Sequence, residues 1–263
     1  MSDSILFSVE QDVGYVTFNR PSRLNAIDLE MGRAMRDLAR DLPRRDDARA
    51  IVLRGAGPSF MAGGDVELFL GEPRIVRDTI SELIDCFHVF TIALQELAQP
   101  VIGSVRGAAA GGGFSLAIGT DLTLASDTAT FQPAYIRLGT TPDGGGTFFL
   151  SRLVGSKRAM EIFLLADPLT AAEAARLGIV NRVVPDADLD RETRQLATRL
   201  CRNSPAAARR TKALLTREGV DLLKRQLAAE KASFLECVGT PEFTERVASF
   251  LSKRAAAAPA ALE

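Results

Sequence analysis

Hydrophobic positions recur along the chain with two periods, and the change between them divides it. Short apolar runs bounded by Gly, Pro, Asn or Asp occur at 5–9, 13–18, 50–53, 101–105, 122–125, 129–132 and 181–184. Runs of that length predict strands, the first two joined by a tight turn at Gln11 and Asp12. Between them lie segments of helical period. Met31, Ala34, Met35, Leu38, Ala39 and Leu42 repeat at i, i+3, i+4, i+7 and i+8 behind Asp28, a ready N-cap. Ile80, Leu83, Ile84, Phe87, Thr91 and Leu94 predict a long helix over about 75–98. Helices are also predicted at 147–153, after the turn Asp143-Gly-Gly-Gly, and at 169–177, capped by Thr170 and stopped by Gly178. From Leu189 onward only the helical period remains, at 191–203, 205–217, 220–237 and 241–253. The pattern therefore predicts an α/β region over 1–188, a helical region over 189–254, and a low-complexity alanine-rich tail over 255–263 that is set aside.

Composition narrows the function classes. The 263 residues are 46% hydrophobic and 25% charged, enough for one large or two small domains with a substantial core. A net charge of −1 gives no sign of a nucleic-acid or anionic-membrane partner. Cys86, Cys201 and Cys237 are odd in number and scattered, as expected of reduced thiols in a cytoplasmic protein. No signal-peptide pattern follows Met1, and no apolar stretch is long enough to span a bilayer. With one histidine and no Cys/His cluster, no metal site is expected.

The candidate chemistry lies in two glycine-rich strand ends. Gly107-Ala-Ala-Ala-Gly-Gly-Gly-Phe-Ser115 follows one apolar run and leads into a helix, and Gly55 to Asp65 follows another. Glycines there let a ligand approach the backbone and leave N–H groups free at a helix start. Two such ends meeting around one oxygen atom would make a backbone oxyanion hole. Commoner motifs fail the test. Leu116 stands where a dinucleotide fingerprint needs its third glycine, no Gly-Lys-Ser/Thr triplet is present for a phosphate loop, and Ala117 replaces the last glycine of a nucleophile elbow.

Taken in order, Asn19-Arg-Pro with Leu24-Asn-Ala26, Phe60-Met-Ala-Gly-Gly-Asp65, Gly107 to Gly113, Pro142-Asp-Gly-Gly-Gly-Thr147, Ala171 to Val180 and Phe250-Leu-Ser-Lys-Arg254 resemble the crotonase superfamily, the enoyl-CoA hydratases and isomerases. The resemblance spans nearly the whole chain. It implies a spiral of ββα turns followed by helices that pack homotrimers or dimers of trimers. It also implies acyl-CoA thioester substrates, with no cofactor beyond the substrate's coenzyme A moiety. The oxyanion donors would be the N–H groups of Gly64 and Gly112, with Arg23, Ala26, Ala62, Gly63, Asp65 and Val66 around the coenzyme A. Two departures matter. The positions of the two hydratase glutamates hold Ser115 and Ala134, neither of which is a general acid or base near neutral pH. One carboxylate remains, Asp143, where the resemblance places isomerase-type aspartates, as in members similar to epoxyphenylacetyl-CoA isomerase. The leading expectation is thus an acyl-CoA isomerase with Asp143 as proton shuttle. The alternatives are a 4-chlorobenzoyl-CoA dehalogenase-like or hydrolytic enzyme using Asp143 with His88, a binding protein without chemistry, and a serine hydrolase using Ser115 and His88. The dehalogenase branch carries a tryptophan near the position of Tyr135, and this chain has none.

Overall fold

The computed structural model describes residues 3–257. Strands β1 (Ile5–Glu10) and β2 (Val13–Phe18) pair antiparallel through a turn in which Gln11 and Asp12 both have positive φ. β2 then pairs in parallel with β3 (Ala50–Gly55), followed across the sheet by β4 (Val101–Val105), β6 (Leu122–Ser126) and β9 (Arg182–Val184). A second sheet holds β5 (Ala108–Ala110), β7 (Thr130–Gln132) and β8 (Leu169–Thr170). Two successive turns of the chain each give one strand to the large sheet and the next to the small one: β4 then β5, β6 then β7. Between these pairs run α2 (Pro73–Glu96), α3 (Gly112–Ile118) and α4 (Gly146–Leu165), so the expected ββα spiral is the architecture.

The large sheet is buried on both faces, as parallel sheets are. One face packs Ile51, Leu53, Val101 and Val105 against α1 (Leu29–Asp41) and α2. The other packs Val13, Tyr15, Val52, Ile102 and Leu124 against Leu189, Ala197 and Cys201 of α6 (Leu189–Cys201). Residue 188 therefore marks the end of the strand region and not a gap in the packing. Asp28 caps α1 as read from the sequence, accepting from Met31 N at 2.8 Å. Thr170 and Glu173 form a capping box on α5 (Ala171–Arg176).

Several elements differ from expectation. The two helices expected over 205–217 and 220–237 are one, α7 (Pro205–Val238). Gly219 at the junction costs a helix only about 1 kcal/mol and does not stop it when no proline follows. α4 runs well past residue 153, through a kink at Gly155, where φ is 76. β5 was not expected; three alanines between glycines carry no strand signal, and their pairing with β7 supplies it. α8 (Pro241–Ala257) continues into the alanine-rich tail, and residues 258–263 lie outside the described residues. α8 lies over Val66, Phe69, Ile80 and Tyr135 through Phe243 and Val247, closing a third apolar cluster. No helix among the described residues is long and apolar enough to cross a membrane.

Candidate active site

Two strand ends converge on a cavity of about 650 Å³. After β3 the chain turns and returns at Met61, which bridges Ala109 of β5 in parallel, and three residues on Gly64 bridges Ile27. The other end is β5 itself, which passes through Gly111 into α3. In each case a left-handed glycine precedes the residue of interest: Gly63 at φ 86 before Gly64, Gly111 at φ 50 before Gly112. Residues with a side chain take these angles only at a cost of about 1–2 kcal/mol. The bridges and the turn use the N–H groups of Ile27, Asp65, Ala110 and Gly111, leaving those of Gly64 and Gly112 outside these bonds. Gly112 is the first residue of α3, where a backbone N–H has no partner within the helix. The turns lie close together, since a methyl group on Gly63 would sit 3.2 Å from Gly112 N. Both glycines line the cavity.

Buried polar side chains fix this side. Asn25 is fully buried; its amide donates to the Ser59 and Ala56 carbonyls at 2.8 and 3.0 Å, and its Oδ1 accepts from Arg20 N at 2.8 Å. Arg20 pairs with Asp28 at 2.9 Å and Asp65 at 3.3 Å and donates to the Ala26 carbonyl, tying the entrance to α1 and to the turn. Of the residues expected around coenzyme A, Ala62, Gly63 and Val66 line the cavity. Arg23, Ala26 and Asp65 are not among the lining residues. Arg23 is partly exposed and paired with Glu67, and Asp65 is buried against Arg20.

The carboxylate side is the turn from Asp143 to Gly146. Asp143 is buried and is the one acidic side chain among the residues lining the cavity, whose walls are otherwise mostly apolar: Ile27, Phe69, Leu83, Phe87 and Phe234. Burial raises its carboxyl from 3.8 to about 6, against the opposing effect of a hydrogen bond from Tyr135. The Tyr135 hydroxyl donates to the Asp143 carbonyl at 3.2 Å and lies 2.8 Å from Ser115 Oγ. Ser115 is fully buried and bound to Tyr135, and it is not among the lining residues. Ala134 lines the cavity and offers no functional group.

Two helices hold this turn from behind. From α2, His88 Nε2 accepts from Gly144 N at 3.4 Å. His88 is buried, and burial lowers its proton affinity to about 4, so the imidazole is neutral at pH 7. It is not among the lining residues, so its place is behind Asp143 and not beside it in the cavity. From α7, the Glu230 carboxylate accepts from Gly145 N at 2.8 Å, from Thr147 N at 2.9 Å and from the Thr147 hydroxyl. Glu230 had no place in the sequence reading. Its signal was there: Leu223, Leu227 and Phe234 share one buried helical face with it, so an acid sits where the period asks for an apolar residue. Arg20 lies in the motif Asn19-Arg-Pro but was given no role, because a polar loop has no period to place it.

Comparison with known proteins identifies the family and the fold. The family model described as enoyl-CoA hydratase/isomerase matches residues 8–257. The chain is 35% identical over 253 residues to a protein of Mycobacterium bovis named "Probable enoyl-CoA hydratase", with 96% of each chain covered. It is 33% identical over 255 residues to the 1,2-epoxyphenylacetyl-CoA isomerase of Escherichia coli, with 97% of each covered. Among solved structures, an enoyl-CoA hydratase of Mycobacterium avium subsp. paratuberculosis matches with a TM-score of 0.87 at 27% identity, covering 94% of this chain and 99% of that one.

Proposed function

The chain belongs to the enoyl-CoA hydratase/isomerase family, whose enzymes act on coenzyme A thioesters, and from that premise we propose that it is an acyl-CoA isomerase. The single observation that carries this reading is that Asp143 is the one acidic side chain among the lining residues, in the same cavity as Gly64 and Gly112. In this reading the two N–H groups receive the thioester oxygen. Loss of a proton from the α-carbon moves negative charge onto that oxygen, and fixed donors there stabilise the enolate by roughly 3–4 kcal/mol each. Asp143 takes the proton and returns it at another carbon, moving a double bond or completing a ring isomerisation. With its carboxyl near 6, Asp143 is largely ionised at pH 7, yet its conjugate acid remains strong enough to give the proton back. Adding water would ask for a second acid–base group, and Ser115 and Ala134 supply none.

The test is a panel of acyl-CoA and enoyl-CoA thioesters in deuterated water, followed for exchange at the α and γ carbons. The wild type should exchange and isomerise at least one member. Asp143→Asn keeps the shape and should keep thioester binding while losing about 10²–10⁴ in turnover. Full isomerase activity in Asp143→Asn would overturn the reading. A covalent adduct on Asp143 that accumulates in His88→Gln would turn it toward the dehalogenase-like alternative.

A further inference from the structure

Glu230 is buried at 3% exposure on a helix that contributes no group to the chemistry described above. Its carboxylate is directed at the backbone of the residues just after Asp143, with two oxygens on three donors of Gly145 and Thr147. Gly145 has φ 87 and Gly144 has φ 65, so without an external tie the turn has many conformations open to it. Gln226, one turn before Glu230, donates to the same Thr147 hydroxyl at 2.9 Å. A buried carboxyl whose oxygens are taken up by backbone donors holds those donors firmly, most of all when ionised, since charge-assisted bonds are roughly twice as strong as neutral ones.

We infer that Glu230 is a positioning residue for the reaction: from α7 it fixes the turn that presents Asp143 to the cavity. This rests on the reading of Asp143 as the proton shuttle. Burial pushes the Glu230 carboxyl up to about 7, the hydrogen bonds from Thr147 and Gly145 oppose that rise, and the nearby Asp143 charge adds to it.

The test is kcat and KM, measured separately, for Glu230→Gln on whichever thioester the wild type turns over. Glutamine keeps the size and one acceptor oxygen and loses the second. Turnover should fall about 10-fold with KM nearly unchanged, because the cavity walls and both donor glycines are untouched. A wild-type kcat would overturn the inference, and so would a rise in KM that accounts for the whole loss in kcat/KM. Should Glu230→Gln fail to fold, Glu230→Asp decides: it keeps both oxygens but reaches the two N–H groups less well, so kcat should drop with KM kept, and unchanged turnover would overturn positioning. Failure of the underlying reading is separable, because it shows as deuterium exchange that survives in Asp143→Asn.

Discussion

The donor side of the cavity is backbone and its carboxylate side is side chain, and different parts of the chain hold them. Gly64 and Gly112 are placed by parallel bridges, Ile27 with Gly64 and Met61 with Ala109, and by one glycine angle each. Asp143 is placed by contacts from Tyr135, from His88 on α2, 55 positions earlier, and through Glu230 on α7, 87 positions later. The donors themselves are main-chain N–H groups without a titratable atom, so the dipole they present does not change with pH. On the carboxylate side burial shifts Asp143, Glu230 and His88, so that side titrates. The lesson is that a fixed dipole can be built cheaply from the main chain. A base that must give its proton back needs burial, and burial needs distant helices.

The largest effect that tests the donor side comes from removing one donor. Gly112→Pro deletes the N–H at the first position of α3, the one helical position where proline is well tolerated. Turnover should fall by about 10²–10³ while the pH profile keeps its shape. A circular dichroism spectrum and melting curve like the wild type's establish that the variant is folded. Normal turnover in that folded variant would place the oxyanion donors elsewhere.

A smaller effect, of opposite sign on stability, tests the carboxylate side. The folded protein holds the Asp143 proton up to about pH 6, whereas the unfolded chain releases it near 3.8. Between those values the folded state binds more protons, so this group's contribution to stability falls as pH rises through the window and stays low above it. The full difference corresponds to about 3 kcal/mol. Asp143→Asn should therefore be more stable than the wild type by on the order of 1–3 kcal/mol at pH 7.5 in urea, with the advantage shrinking toward pH 4. An equal or lower urea midpoint at pH 7.5 would mean that the carboxylate is not strained by burial.

The same contrast explains what the sequence revealed. Most strands and helices and the two glycine-rich strand ends were readable because each is a local matter of period, glycine spacing and capping. The spiral, the choice of Gly64 and Gly112 and the interest of Asp143 came through the resemblance to other proteins; alone, an aspartate before three glycines is a turn residue. Glu230, and the tie from His88 to Gly144, were not read. Their partners are fixed only once α2 and α7 are packed, and α7 itself was divided at Gly219 into two helices. The apolar stripe of α7 shows that an acid belongs to a buried face without saying what it meets there.

The smallest effect on turnover is expected at His88, and it separates holding a turn from doing chemistry. The imidazole accepts from Gly144 N, and the amide oxygen of glutamine can take that hydrogen bond, so His88→Gln should keep turnover within about threefold of the wild type at pH 7.5. Stability at acid pH should respond more. The unfolded chain takes up a proton on His88 below about 6.5, while the folded protein resists until about 4. In that window the unfolded state binds more protons, so the wild type loses stability from this group as pH falls, by about 2 kcal/mol at pH 5. This runs against Asp143 and Glu230, which favour the folded state over part of the same range, so the wild type should show a shallow net dependence. Removing the histidine leaves the carboxyls unopposed: His88→Gln should gain stability relative to the wild type between pH 7 and pH 5. Urea midpoints at the two pH values measure this directly. If the pH dependence of stability matches that of the wild type and turnover drops by two orders of magnitude or more, His88 takes part in the reaction and the carboxylate side holds two working groups.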